Sequence, residues 1–375
     1  MYNKRFLCLG VVILILTFGC TNQPNKTVDI GVILPLTGPI ASGGVRVLNG
    51  IQLAVEQYEQ DNDLDISLII EDSQAQPSIG VNVVNKLINI DKVNVIIGDL
   101  TSGVTLAIAP IVEKNKIVLM APGASNPKVR NAGDYIFRNW VSDDFDGTVA
   151  AMYLYNKLEK KRAILLNIQN EYGVGLKNAF SKHFESLGGE IVFQESFIQG
   201  QQDFRSVLNK IKTKEFDSLY LAGQPKEMGY MIRQFKELGM STTIFSNASV
   251  EEKDFMQIAG DIGIEIFYTS SKINFDSEKE YIKIFYQSYT DKFNEKPDIA
   301  SAHGYDAAKL LLNCIDSSEI NTDQIKECLY TIRDFKGITG DISFDKYGDV
   351  IKGIMVKKIT ELQEVVELEF FKPNI

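Results

Sequence analysis

The stretch VIIGDLTSGVTLAIAP (95–110) places a short apolar run directly before small hydroxyl residues and glycine, and a helical pattern follows at once. Such a run is typical of a buried strand. Thr101, Ser102 and Gly103 would then lie where a strand ends and a helix begins. Three kinds of site fit this arrangement: a phosphate-binding loop, a catalytic serine, or a binding site for a small polar ligand.

The sequence on both sides of this stretch repeats the alternation of strand and helix. One series runs from VDIGVIL (28–34) to IVLMAP (117–122), and a second runs from RAILLN (162–167) to IEIFYTSS (264–271). Helical patterns dominate 277–331, and the tail returns to strands. This order predicts an α/β protein with parallel sheets covered by helices on both faces.

The length of the chain exceeds the usual size of one core, so two domains are expected. No low-complexity linker separates the two series, which favours two lobes joined by strand-like crossings with a cleft between them. The formal net charge is −10 and no basic cluster occurs, so nucleic acid is not an expected partner.

The N-terminus has the features of an export signal. Lys4 and Arg5 precede an apolar core over 6–18, which is shorter than the about twenty residues that a spanning helix needs. The core ends at Gly19-Cys20, which resembles the cleavage box of bacterial lipoproteins, although Leu16 lies one place early. The resemblance implies a signal peptide at 1–19, a lipid on Cys20 and a tether over 20–27. An ordinary signal peptide with a chance cysteine is the alternative.

Two cysteines remain in the expected mature chain beyond the lipidated residue. Cys314 and Cys328 flank CIDSSEINTDQIKEC, which has the pattern of a helix end, a turn and a helix start. In an exported protein such a pair predicts a disulfide, with two buried thiols as the alternative. Two distant cysteines with no histidine nearby do not predict a metal site.

The motifs of enzymes and nucleotide-binding proteins are not matched at the opening stretch. GDLTSG lacks both the glycine spacing of a dinucleotide site and a P-loop lysine, so no cofactor is predicted. Ser102 lies in LTSGV and not in the G-x-S-x-G of a nucleophile elbow. His183 and His303 are more typical of surface or packing positions than of a general base. A binding site for an anionic group at a helix N-terminus is therefore the remaining interpretation.

A series of segments makes the resemblance to one family specific. The chain contains, in order, VDIGVILPLTGPIASGG, VIIGDLTSGVTLAIAPIVEKNKIVLMAPGAS, DYIFRN, NEYGVGL, DSLYLAG and QFKELG. It resembles the type I periplasmic solute-binding proteins, and among them the branched-chain amino acid receptors of ABC importers. The resemblance implies two Rossmann-like lobes joined by three crossings around a solute. It places lobe one at 28–141 and 270–337, and lobe two at 142–269 and 338–375.

The resemblance also implies roles for particular residues. Ser102 and the segment Ala124-Ser125 would receive the carboxylate of the ligand in lobe one, and the Ala124 carbonyl would take part of its ammonium group. Tyr172 would close over the ligand from lobe two. Gln224 and Asn247 are polar residues at strand ends, which either contact the ligand or face solvent.

Three positions depart from the family pattern. Ala248 stands where the family has its ammonium-binding acid, so either Glu251 or Glu252 substitutes, or the ligand lacks a free ammonium. Ser42 stands where amino acid receptors often carry an aromatic residue. Ser73 and Thr101 occupy the positions of a family disulfide.

The sequence therefore predicts a lipid-anchored extracytoplasmic receptor that captures a small polar solute and passes it to an ABC permease. Branched-chain amino acids are the first candidates, and amides, small carboxylates and aromatic acids remain open. A sensing lipoprotein that presents its solute to a signalling receptor is the alternative within binding proteins. An exported enzyme is the alternative from another class.

Overall fold

The computed structural model describes residues 27–315 and 320–373. The predicted lipid site at Cys20 lies outside these residues. The strands are β1 (Thr27–Leu34), β2 (Asp65–Asp72), β3 (Val95–Gly98), β4 (Val118–Ala121), β5 (Ile136–Arg138), β6 (Arg162–Ile168), β7 (Glu190–Phe197), β8 (Ser218–Ala222), β9 (Thr243–Ser246), β10 (Ile266–Ser270), β11 (Phe335–Gly337), β12 (Gly340–Ile342), β13 (Ile354–Ile359) and β14 (Val365–Phe371).

The helices of the described residues alternate with these strands. They are α1 (Ala41–Asp61), α2 (Pro77–Asn89), α3 (Ser102–Lys114), α4 (Asp143–Met152), α5 (Glu171–Ser186), α6 (Arg205–Lys212), α7 (Pro225–Glu237), α8 (Lys253–Ala259), α9 (Glu280–Phe293), α10 (Ile299–Leu312) and α11 (Thr322–Thr331). None of these helices combines the length and the apolar character needed to cross a membrane.

Two sheets form the cores of two lobes. The first lobe contains a parallel sheet in the order β2-β1-β3-β4-β5. The second contains the order β14-β13-β10-β9-β8-β6-β7, in which β13 runs antiparallel to both of its neighbours, β10 and β14. The expected α/β class with two lobes is confirmed.

The first sheet is buried on both faces, which explains its continuous apolar runs. Alternate residues of β1 such as Val32 and Leu34 pack against α1, α10 and α11, whereas Ile33 packs with α2 and α3 on the other face. Helices α1 and α10 approach closely because glycines lie at their contact. A Cβ on Gly50 would lie 2.1 Å from the carbonyl oxygen of Ser301.

The chain passes between the lobes after β5, after β10 and before β13. The expected third boundary, between 337 and 338, falls inside a segment that packs on the first lobe. Ile342 and Phe344 belong to the first-lobe core, and Arg138 of β5 forms an isolated bridge with Asp349. We therefore propose that the third crossing lies after residue 349, because the tail completes the first-lobe core before it joins the second sheet.

The crossings meet around α10. Asn139 of the first crossing donates to the carbonyl of His303 at 2.9 Å, and Ser271 of the second contacts His303 Nε2 at 3.0 Å. Lys352 of the third crossing donates to the hydroxyl of Thr339 at 2.8 Å. Burial holds the pKa of His303 well below its ordinary value. The histidine is thus a neutral packing residue at the hinge and not an exposed base.

The predicted disulfide is confirmed. Cys314 and Cys328 are bonded with their Cα atoms 5.7 Å apart, and the bond joins the end of α10 to α11. It therefore closes the segment between two helices of the first lobe.

We expect replacement of both cysteines by serine to lower the free energy of unfolding by about 3 kcal/mol, because the bond restricts a loop of about 15 residues in the unfolded chain. Urea unfolding of the double variant and of the oxidised parent measures this loss. An unchanged midpoint for the double variant would contradict a stabilising bridge.

Candidate ligand-binding site

A cavity of about 500 Å³ lies between the two lobes. This volume is within the range of small-molecule sites. Its wall from the first lobe includes Ile40, Gly43, Thr101, Ser102, Gly123 and Trp140. Its wall from the second lobe includes Asn170, Tyr172, Gln224, Lys226, Ser249 and Glu252.

Three helices begin at this cavity. Ser102 is the first residue of α3, Glu171 that of α5 and Pro225 that of α7, and all three line the cavity. The first N–H groups of a helix lack partners within the helix, and the helix dipole makes this end favourable to negative charge. The cavity is therefore suited to a carboxylate, as the opening stretch of sequence indicated.

A buried carboxyl group fixes the turn from β3 into α3. Asp99 accepts hydrogen bonds from the Ser73 hydroxyl and from both the N–H and the hydroxyl of Thr101, each at 2.6 Å. Ser73 and Thr101 are the two residues that the resemblance places at the positions of a family disulfide. A hydrogen-bonded carboxyl thus joins the same two segments here. Burial raises the pKa of Asp99 to about 6.

Helix α3 begins at Ser102, within the segment where the sequence predicted the change from strand to helix. Thr101 is the N-cap, and its hydroxyl accepts a hydrogen bond from the N–H of Val104. Ser102 is therefore the first helical residue and not the cap. The Ser102 hydroxyl instead accepts a hydrogen bond from the N–H of Asn126 at 3.1 Å.

Arg138 holds the loop that follows β4. Its Nη1 donates to the carbonyl oxygens of Ala124 at 3.2 Å and Asn126 at 2.9 Å. Its Nε and Nη2 donate to the two carboxylate oxygens of Asp349 at 2.7 Å and 2.9 Å. The guanidinium is 1% exposed, so the loop beside Ser102 is fixed from within the first lobe.

The structure brings three predicted residues together and leaves three outside the cavity wall. Ser102, Tyr172 and Gln224 line the cavity. The carbonyl of Ala124 faces Arg138, and Ser125 is buried beside the carboxyl of Asp143. Asn247 is turned inward: its amide donates to the carbonyl of Gly223, and its oxygen caps the next helical turn. The ligand contacts expected of the Ala124 carbonyl, of Ser125 and of Asn247 therefore stay predictions, and this placement does not support them.

The second-lobe wall combines an aromatic ring with an unpaired acceptor. Tyr172 lies in the first turn of α5, and burial together with nearby Asp143 raises the pKa of its hydroxyl well above its ordinary value. Gln224 is the N-cap of α7, and its Oε1 is buried without a hydrogen-bond partner among the described residues. A buried acceptor of this kind is costly unless a ligand supplies a donor.

The two acids considered as substitutes at the position of Ala248 have different surroundings. Glu251 pairs with Lys357 at 2.8 Å and is not part of this cavity wall. Glu252 lines the cavity, and its Oε2 pairs with Arg46 at 2.9 Å. Burial raises the pKa of Glu252 to about 7, and Arg46 opposes this effect. Of the two, Glu252 is the acid that a ligand can reach.

Further contacts join the lobes along the rim of the cavity. Asn126 donates from its amide to the carbonyl of Glu171 at 2.5 Å, and Lys128 pairs with the side chain of Glu171 at 3.0 Å. These contacts hold the two lobes against each other along this rim.

Comparison with known proteins agrees with this architecture. Residues 27–360 match the family described as "Periplasmic binding protein". Leu/Ile/Val-binding protein homolog 1 of Brucella abortus is 28% identical over 354 residues, which cover 92% of this chain and 93% of that protein.

Two solved structures share the fold over almost their whole length. The leucine-binding protein LivK of Thermotoga maritima is 30% identical with a TM-score of 0.85, covering 92% of this chain and 99% of that one. The branched-chain amino acid transporter protein LivJ of Streptococcus pneumoniae, solved with isoleucine, is 27% identical with a TM-score of 0.85. That match covers 93% of this chain and 100% of LivJ.

The chain belongs to the periplasmic binding protein family. Within the family, it is a solute-binding protein of the branched-chain amino acid ABC transporter type. The family comprises binding proteins of transporters and implies an extracytoplasmic location.

We expect Ser102→Ala to weaken solute binding by roughly 10- to 150-fold, because the hydroxyl can donate to a carboxylate while it accepts from Asn126. Ser206→Ala is a matched control, since Ser206 is an exposed residue of α6 and does not line the cavity. Titration calorimetry with a bound solute compares both variants with the parent. If Ser102→Ala and the parent bind the solute with equal affinity, the carboxylate binds at another position.

Proposed function

We propose that this protein is an extracytoplasmic receptor that captures a small carboxylate-bearing solute between its lobes and delivers it to an ABC permease. The observation that carries the proposal is the cavity between the lobes, where three helix N-termini converge beside Ser102. The proposal assigns no catalytic role to the protein. No cofactor or metal ion is required for capture.

Capture proceeds in two stages in this proposal. The solute carboxylate first binds at the start of α3, where the Ser102 hydroxyl and neighbouring N–H groups belong to the first lobe. The second lobe then approaches and brings Tyr172 and the unpaired Oε1 of Gln224 to the solute. Contacts made only in the closed form stabilise that form and slow release.

Branched-chain amino acids are the first candidates for the solute, because LivJ was solved with isoleucine and the Brucella relative is named for leucine, isoleucine and valine. Amides, small carboxylates and aromatic acids remain candidates from the sequence. The role as a sensing lipoprotein uses the same capture step and differs in the partner that recognises the closed form.

The solute can be identified with the natural fluorescence of the protein. Trp140 is the single tryptophan of the sequence, lines the cavity and packs against His303 with the ring centroids 4.2 Å apart and the ring planes tilted by 33°. We expect a captured solute to change the tryptophan emission in a saturable way and to raise the melting temperature. Amino acids, their amides, and aliphatic and aromatic acids form the panel. A panel that changes neither signal would count against the proposed function.

The lipid anchor rests on the sequence Gly19-Cys20. Two acyl chains attached through the thioether and a third through the amide would anchor the protein stably. We expect Cys20→Ser to yield uncleaved precursor or soluble protein. Thr21→Ser is the control, because it changes the neighbouring residue and leaves Cys20 and the disulfide in place. Partitioning into a detergent phase measures the anchor, and unchanged partitioning of Cys20→Ser would refute it.

A further inference from the structure

The N-terminus of α7 lies in the cavity wall and has no side-chain cap. Gln224 is its N-cap residue, and Gln224, Pro225, Lys226 and Glu227 all line the cavity. Helices α3 and α5, which also begin at the cavity, have side-chain caps. Because proline has no N–H, the first donors of α7 are the N–H groups of Lys226 and Glu227. Neither N–H donates a hydrogen bond within residues 27–315 and 320–373.

The side-chain amide of Gln224 is an unpaired group at the same place. The residue is 9% exposed, and its Oε1 is buried without a hydrogen-bond partner in the described part of the chain. Such an acceptor usually has a partner, because leaving it unpaired costs free energy. The terminal torsion of a glutamine side chain is broad, so the amide can turn this oxygen toward a solute. The start of α7 thus presents one acceptor and two donors.

The charges at this end of the cavity favour a neutral group. Lys226 pairs with Asp254 at 3.5 Å, and both residues line the cavity. Glu227 is 2% exposed, and its Oε1 accepts the N–H of Gly200 at 2.6 Å. No basic side chain of the described residues pairs with Glu227. Its negative charge lies in the first turn of α7, where it opposes the positive end of the helix dipole.

A carboxamide group matches these donors, this acceptor and this charge. Its oxygen can accept from the N–H groups of Lys226 and Glu227, and its NH₂ can donate to Oε1 of Gln224. A carboxylate has no donor for Gln224 and meets the buried charge of Glu227. An ammonium group has no acceptor for the two N–H groups. A branched alkyl group would bury all three polar groups without partners.

We propose that the second lobe selects a solute whose far end is a primary carboxamide, as in an amino acid with a carboxamide side chain, over a solute with a branched alkyl group of the same shape. Gln224 recognises the amide, and Glu227 excludes the corresponding carboxylate. The inference rests on the proposed function, since it concerns the end of the solute that faces the second lobe. It differs from the alkyl side chain of the isoleucine in the LivJ structure.

The test uses two series of solutes that have the same shape and differ in the end group. The shorter series is asparagine, leucine and aspartate, and the longer series is glutamine, 2-amino-5-methylhexanoate and glutamate. Titration calorimetry with the parent protein measures the affinity for each solute. In at least one series, we expect the carboxamide to bind at least about tenfold more tightly than both the alkyl and the carboxylate member.

Two variants change different affinity ratios. Gln224→Met removes the amide at similar length and should abolish the preference for the carboxamide over the alkyl member. Glu227→Gln keeps an acceptor for the N–H of Gly200 and removes the charge. It should raise the affinity for the carboxylate member at least about tenfold and keep the preference over the alkyl member. Gln257→Met and Glu237→Gln are matched controls, since both residues are exposed and neither lines the cavity.

The outcomes separate the two proposals. If the alkyl members bind the parent as tightly as the carboxamides, the inference is overturned and a solute receptor remains. A carboxamide preference that persists in Gln224→Met would overturn the assignment to that residue, and an unchanged carboxylate affinity in Glu227→Gln would overturn the exclusion by charge. If no member of either series binds, the inference fails, whereas capture of another carboxylate would leave the proposed function in place. The comparison with the parent needs no variant, so it stands even if a variant does not fold.

Discussion

The buried guanidinium of Arg138 ties together three parts of the first lobe that are far apart in sequence. It pairs with Asp349 in the returning tail and fixes the loop after β4 through the carbonyls of Ala124 and Asn126. Removing one partner of such a buried pair typically costs 3–5 kcal/mol, because the other charge is left without compensation. The position of the solute loop and the path of the tail are thus set by one side chain.

Hydrogen bonds of Asn126 connect the loop held by this arginine to the cavity wall. Asn126 donates its N–H to Ser102 within the first lobe and its side-chain amide to Glu171 across the cleft. The bonds that shape the first-lobe wall are buried, whereas the pair between Lys128 and Glu171 at the rim is largely exposed. Exposed pairs contribute little to stability. The first-lobe wall is therefore held mainly by contacts within its own lobe.

Much of the fold could be predicted from the sequence. Its strands are buried on both faces, and their sequences are therefore continuous apolar runs. The start of α3 was predicted only to within Thr101, Ser102 and Gly103, since the pattern of apolar residues does not show which of them caps the helix. The third crossing was placed early for a related reason. The sequence of a short strand such as β12 does not indicate which of the two hydrophobic cores the strand joins.

The candidate site could be predicted only in part. Ser102, Tyr172 and Gln224 stand at strand ends or helix starts, and local sequence identifies such positions. Arg46 and Glu252 are separated by 206 residues, so no local pattern could pair them. Arg138 could have been suspected from a charged residue at the end of an apolar strand. Its partner Asp349 became evident only once the tail was seen to return to the first lobe.

The carboxyl of Asp99 has a consequence for the conditions under which the cavity can form. Where the resemblance implies a covalent bridge, this chain joins Ser73 and Thr101 through hydrogen bonds to Asp99. Among the described residues, the cavity lining includes no cysteine, and the bond between Cys314 and Cys328 lies on the α10–α11 side of the first lobe. The contacts that fix the turn into α3 therefore involve no thiol.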